Sequence, residues 1–391
     1  MNFPRLRRWV RGGAVIGALW LLAGCATPRV EKTYRRESRA QPEQAALIRG
    51  VPAPLHYAAD GRWASAAAVL RFWKQPLRRG ALAKTIREEA RPLSPEDALC
   101  GVIWERGIWA VGQRSSPDRV KLQLRSRVPA LLLIQEQPLG LEPPVYVLAV
   151  GYSETRDALL CWNEEGRLEE RPWSELIRGW RATDYHALLV CPPEFPSWPL
   201  AAEEYASRAR FYERVSDWDR AVRDYEAARK AAPVPPVLLA ALGNAYRQLK
   251  QSDRAEALYR EAISNDPRLA RAYNNLAYLL VEERRDLAEA ARLARQAIVL
   301  DPANPLYLDT LGTILLQQQD GKEAADVLER AWGRSRWHPV AVQIEIGLRL
   351  VQAHLMNGQD HLAAEVLRDV LSLDPGTPVP DDWKRLLKRK P

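Results

Sequence analysis

A repeat with a fixed period constrains this chain more than any other feature. Ala221, Tyr225, Ala228 and Pro233 recur 34 residues on as Ala255, Tyr259, Ala262 and Pro267. Ala290, Ala294, Ala297 and Pro302 follow after 35, and Ala324, Leu328 and Ala331 after another 34. Ala363, Leu367, Val370 and Pro375 close the series after a wider gap. A period of this length marks stacked units that cannot bury their apolar faces alone. Upstream of three sets lies a partner segment: Leu242-Gly243 with Tyr246, Leu276-Ala277 with Leu280, and Leu311-Gly312 with Leu315. Small residues let two antiparallel helices approach closely, and the large ones fill the space between pairs. Asp266-Pro267, Asp301-Pro302 and Asp374-Pro375 stop the second helix of a pair.

The pattern resembles the tetratricopeptide repeat family. The resemblance implies about five repeats over residues 202–375 within an all-α segment, 196–391, the first and last repeats being poorer. Stacked pairs leave a concave face free. The insertion at 333–338 is expected to alter the stacking locally. Groove-facing positions are Asn244, Arg247 and Gln248, then Arg271, Asn274, Asn275 and Tyr278, then Asp309 and Thr313. Asn and Arg donors in such a groove suit the backbone of an extended peptide. Some family members clamp a C-terminal carboxylate with Lys, Asn and Arg. Here Asn244 and Asn275 fall near that scheme and the lysines are missing, which argues against that ligand type.

The other end carries a different signal. Arg5, Arg7, Arg8 and Arg11 precede an apolar run at 13–22, too short to span a bilayer at about 20 residues. The run ends in Leu21-Leu22-Ala23-Gly24-Cys25. This is similar to a bacterial lipobox, which implies a signal peptide over 1–24 and lipidation of Cys25. Ala26 and Thr27 follow, with no Asp, and the resemblance then implies sorting to the outer membrane, facing the periplasm. Residues 25–45 are polar and charged and read as a flexible tether.

Residues 46–195 mix helix and strand signals, an α+β arrangement. Residues 64–73 read as a helix of small residues. Strands are expected at 120–126, 130–135, 145–152, 158–162 and 186–191. Val51-Pro52, a loop of ten residues and then the small-residue helix resemble the bacteriocin-processing (double-glycine leader) cysteine peptidases. So do Val147-Leu148-Ala149-Val150-Gly151-Tyr152 and the stretch 180–193. The resemblance implies a papain-like fold, and a lipoprotein branch of that family also carries C-terminal tetratricopeptide repeats.

The catalytic positions depart from the family. Counted without gaps from Val51, the oxyanion-hole Gln position holds His56, the residue before the nucleophile is Asp60, and the nucleophile position holds Gly61. Arg62 and Trp63 replace Gly-Pro. Counted back from Gly151, the His position holds Val145, and the third triad position falls near Asn163. Such chemistry needs a thiolate at a helix N-terminus and an imidazole in reach. Glycine and valine supply neither, so an inactive domain is expected. Trp63 is the aromatic expected to line a residual peptide cleft. Trp73, Trp104 and Trp109 read mainly as core.

The chain has 391 residues, four cysteines and a formal net charge of +8. So few cysteines exclude a disulfide-dense scaffold, and the modest charge argues against a nucleic-acid partner. Cys161 and Cys191 can pair if their strands are neighbours. Cys100, beside Gly101, is the candidate for a displaced nucleophile. The histidines and cysteines show no metal spacing, and no phosphate-binding or dinucleotide fingerprint is present, so no cofactor is expected. The reading is an envelope lipoprotein that holds a protein or peptide partner. The alternative is an active cysteine peptidase with a displaced nucleophile.

Overall fold

The computed structural model describes residues 26–54, 63–75, 94–136, 143–163 and 166–387. The chain divides into two compact units, Met1–Val215 and Ser216–Pro391. Cys25, His56, Asp60, Gly61 and Arg62 lie outside the described residues.

The first unit opens with helix α1 (Ala26–Ala40) and strand β1 (Ala45–Leu47). These residues, expected to be a tether, are part of the fold. Tyr34 is fully buried in the core, Glu37 pairs with Arg156 at 3.0 Å, and β1 pairs antiparallel with a central strand. Among the described side chains of α1, only Val30 and Tyr34 carry apolar contact. Two residues one turn apart make too weak a periodic signal to register against so many charges.

Helices α2 (Ala64–Phe72) and α3 (Pro95–Trp104) follow, then β2 (Trp109–Arg114), α4 (Pro117–Arg125), β3 (Ala130–Ile134), β4 (Val145–Ser153), β5 (Ala158–Trp162) and β6 (Leu168–Pro172). Helix α5 (Trp173–Arg181), β7 (His186–Cys191) and α6 (Ala202–Arg214) complete the unit. The strands form one antiparallel sheet in the order β2-β7-β3-β4-β5-β6. β1 continues the β3 edge of β4, because Gly151 to Ser153 pair with both β1 and β5.

One strand expectation changes, and further strands are added. Residues 120–126 form helix α4, not a strand. Ser116 caps it by accepting from the Arg119 N–H at 3.2 Å, Pro117 takes the first turn, and Val120, Gln123 and Leu124 are buried at helical spacing. That start signal outweighs the alternation of Val120, Leu122 and Leu124. β2 and β6 are additions. β6 reads Leu-Glu-Glu-Arg-Pro and sits at a sheet end, where one side meets solvent and charge is tolerated.

Cys161 on β5 and Cys191 on β7 are separated by β3 and β4. Three strand spacings of about 4.8 Å put them roughly 14 Å apart, beyond the reach of a disulfide. Both thiols are free and fully buried.

Helix α6 was expected to open the repeat array, with a boundary at 195/196. It packs within the first compact unit. Trp109 Nε1 donates to Ser207 Oγ at 3.3 Å, Gln113 Nε2 donates to Glu204 Oε1 at 2.8 Å, and Arg119 pairs with the buried Glu204 carboxylate. Burying that carboxylate is tolerable only with such partners.

The second unit is helical. After α7 (Trp218–Ala231) come the pairs α8 (Pro236–Gln248) with α9 (Ser252–Asn265), and α10 (Ala270–Glu282) with α11 (Leu287–Leu300). Next are α12 (Pro305–Gln317) with α13 (Gly321–Arg334), and α14 (Val340–Met356) with α15 (Asp360–Leu373), then the short α16 (Asp381–Leu386). The periodic residues of the second helices, from Ala221 and Tyr225 to Leu367 and Val370, are all fully buried. The small partners are required by contact. A Cβ on Gly243 would lie 2.6 Å from the Tyr259 ring, and one on Gly312 would lie 2.4 Å from Leu328. The insertion forms a 3-10 turn, Ser335–Trp337, before the longer helix α14.

Candidate functional site

In the second unit, the first helices of successive pairs bring their polar faces together. Asn244 and Arg247 from α8, Asn274, Asn275 and Tyr278 from α10, Leu306, Asp309 and Thr310 from α12, and Glu345 and Arg349 from α14 line one groove of about 270 Å3. Six of the sequence-expected residues, Asn244, Arg247, Asn274, Asn275, Tyr278 and Asp309, therefore share a site. Arg271 lies exposed one turn before Asn274 and Asn275 and outside the lining, although helical spacing puts it on the same face. Thr313 bonds back to the Asp309 carbonyl of its own helix.

The groove is held by a chain of polar contacts. Tyr259 OH donates to Asn244 Oδ1 at 2.7 Å. Arg247 stacks 5.1 Å above the Tyr278 ring and donates to Glu282 at 2.9 Å. Arg349 grips both oxygens of Asp309 at 2.9 and 3.1 Å. Burial pushes the Asp309 carboxyl up to about 6, against the pull of Arg349. Two buried atoms have no hydrogen-bond partner, Asn274 Oδ1 and Asn275 Nδ2. They supply one acceptor and one donor, the complement of a peptide's N–H and C=O. Each unsatisfied group costs about 1–3 kcal/mol. Glu345 and Arg349 escaped the sequence reading because the insertion breaks the period just before them.

In the first unit, the N-terminus of α2 lies against the start of β4. Ser65 Oγ donates to the Tyr146 carbonyl at 2.6 Å, and the Trp63 and Tyr146 rings are 6.0 Å apart. Val145 opens β4, paired with Ile134. Trp63 is 8% exposed and belongs to the core. It offers no free ring face, which corrects its expected place in a peptide cleft. Trp73, Trp104 and Trp109 are likewise tied inward by their indole N–H groups. Asn163 serves a turn: Arg167 N donates to its Oδ1 at 2.9 Å and its Nδ2 donates to Glu169 at 3.0 Å.

A polar cluster that the sequence reading missed sits beside Tyr146. Tyr146 OH donates to Glu96 Oε2 at 2.6 Å, and His186 Nε2 lies 2.7 Å from the same oxygen. Burial pushes the Glu96 carboxyl up, but the His186 and Tyr146 hydrogen bonds outweigh it and leave it below the usual range. Gly112 makes room, since a Cβ there would fall 1.5 Å from Glu96 Oε1. Cys100 is one helical turn beyond Glu96. Burial, with Glu96 and Asp97 adding to it, pushes its thiol up to about 12. A thiol so placed stays protonated at neutral pH and is a poor nucleophile.

The family comparison matches the helical part of the chain and takes in most of α6. Residues 207–267 and 240–305 match the tetratricopeptide repeat family model. No curated protein matches the chain. Among solved structures it is similar to a thermophilic tetratricopeptide-repeat protein from Thermus thermophilus, at 18% identity and TM-score 0.39, over 48% of this chain and 98% of that one. It is also similar to MamA from Desulfovibrio magneticus, at 16% identity and TM-score 0.39, over 46% and 97%. PilF of Pseudomonas aeruginosa is similar at 16% identity and TM-score 0.41, over 50% and 85%. The second unit thus carries tetratricopeptide repeats, and the first adds an antiparallel sheet flanked by helices.

Proposed function

We propose that this chain is an envelope lipoprotein that holds an extended peptide segment of a protein partner in the groove of its repeats. Its first unit is a degenerate papain-like peptidase domain. The observation that carries the binding role is the pair of unpartnered buried atoms, Asn274 Oδ1 and Asn275 Nδ2, in a groove with Arg247, Tyr278 and Asp309. The contact of Ser65 and Trp63 with Tyr146 supports the degenerate-peptidase reading. It sets the helix that would carry a nucleophile against the strand that would carry the histidine, and Val145 opens that strand. The lipid anchor rests on the Leu21 to Cys25 pattern.

Panning a display library of extended peptides on the full chain tests the groove. Peptides that bind the parent are expected to lose roughly tenfold affinity on Asn274→Ala with Asn275→Ala, about two net hydrogen bonds. Undiminished binding by the double variant would sink the groove assignment. Radiolabelled palmitate should enter the chain in a bacterial host and fail to enter Cys25→Ser. The competing reading, a peptidase using Cys100, predicts fast labelling by a thiol-reactive probe at neutral pH. The buried, protonated thiol predicts slow labelling.

A further inference from the structure

The first unit holds a pocket of about 710 Å3 with no role in the readings above. Five consecutive residues, 45–49, line it, so strand β1 and the two residues after it present their backbone to it. The register decides which groups point there. Ile48 N–H donates to the Val150 carbonyl and Glu154 N–H donates to the Gln44 carbonyl. The even-numbered residues therefore bond to β4, and the odd ones turn their polar groups away from it. Leu47 N–H and C=O, Arg49 N–H and the Ala45 C=O make no hydrogen bond among the described residues. β1 is thus an open strand edge, the kind of surface that templates a further strand.

The surroundings select the strand that fits. Arg39 at the end of α1, Arg49 after β1, and Arg125 and Arg127 at the end of α4 ring the pocket. Arg39, Arg49 and Arg127 form no ion pair among the described residues. Arg125 has a hydrogen bond from Nε to Tyr152 OH at 2.6 Å and a 3.4 Å pair with Glu43, whose side chain is 88% exposed. Phe72 and Leu124 supply the apolar part of the wall. Alternate residues of an added strand point to opposite sides, so acidic and apolar side chains in alternation meet arginines and wall together. We propose that this edge is a docking site for an extended acidic peptide, which adds as a strand beside β1. The main chain supplies the hydrogen bonds and the arginines supply the selectivity. The site is independent of the repeat groove.

The test uses the full chain and a fluorescein-labelled heptapeptide of alternating Glu and Val, read by fluorescence anisotropy. The Glu/Val peptide is expected to bind, and the matching Lys/Val peptide is expected not to. Leu47→Pro removes an N–H that β4 does not use and is expected to weaken binding roughly fivefold. Arg39→Glu with Arg49→Glu changes only exposed side chains and is expected to weaken it roughly tenfold or more. Equal binding of the two peptides would overturn the site. So would a Leu47→Pro chain that binds the Glu/Val peptide as tightly as the parent. Binding of phosphatidylglycerol vesicles that displaces the peptide and survives Leu47→Pro would replace the strand with a lipid surface and overturn it as well.

Discussion

The two units bury their residues by opposite rules. In the repeats, each second helix puts apolar residues at the same three positions, Ala first and most often a large residue second, and these are buried to the same extent every time. One small residue on the partner helix makes room, as Gly243 does for Tyr259 and Gly312 for Leu328. In the first unit no position repeats. Tyr34 is buried from a helix that is otherwise mostly charged, and Glu204 is buried from a helix beyond the last strand. Periodic stacking writes contacts between neighbours into local sequence. A sheet assembles its core from segments more than a hundred residues apart, as when Tyr34 joins β4.

The largest predicted effect tests whether α1 is core or tether. Tyr34→Ala should destabilise the first unit by about 3–5 kcal/mol, the usual cost of emptying a large buried aromatic site. Thermal unfolding and hydrogen exchange on β4 measure it, and no change would return α1 to the status of a tether. Tyr34→Phe should leave stability unchanged or raise it, because the buried hydroxyl has no partner to lose.

Next is the Asp309 carboxyl in the groove, pushed up to about 6 by burial. Its native pKa lies above that of an unfolded Asp, so between pH of about 4 and 6 the native state binds more protons than the unfolded chain. Its contribution to stability is therefore greatest below that window and falls as pH rises through it, by roughly 2–3 kcal/mol. In denaturant titrations across that range, Asp309→Asn should remove this downward slope. A slope that survives in the variant places the titration elsewhere.

Close packing within a helix pair gives a smaller effect. Gly312→Ala should cost about 1–3 kcal/mol, because Leu328 has to move. Gly333→Ala, with nothing within 4 Å of its Cβ, should gain up to about 1 kcal/mol from helix propensity. Equal melting temperatures for the two variants would show that the period reflects composition rather than contact.

Much of the candidate groove was legible in advance. Asn244, Arg247, Asn274, Asn275 and Tyr278 could be placed on one surface because helical spacing and repeat period are both local quantities. Glu345 and Arg349 were not, since the insertion at 333–338 breaks the count that would have aligned them. The Glu96, His186 and Tyr146 cluster was illegible for another reason. Its members come from α3, β7 and β4, and nothing in their neighbouring residues marks them as partners.

The sequence by itself determined the helical pairs of the second unit, their small-residue contacts and most of the groove, because each contact recurs within about one period. Only the tertiary structure decided that residues 26–40 and 202–214 pack within the first unit, that Cys161 and Cys191 lie too far apart to pair, and that β1 keeps an open edge. Those outcomes depend on strand order and register, which are settled by the packing of distant segments rather than by any pattern along the chain.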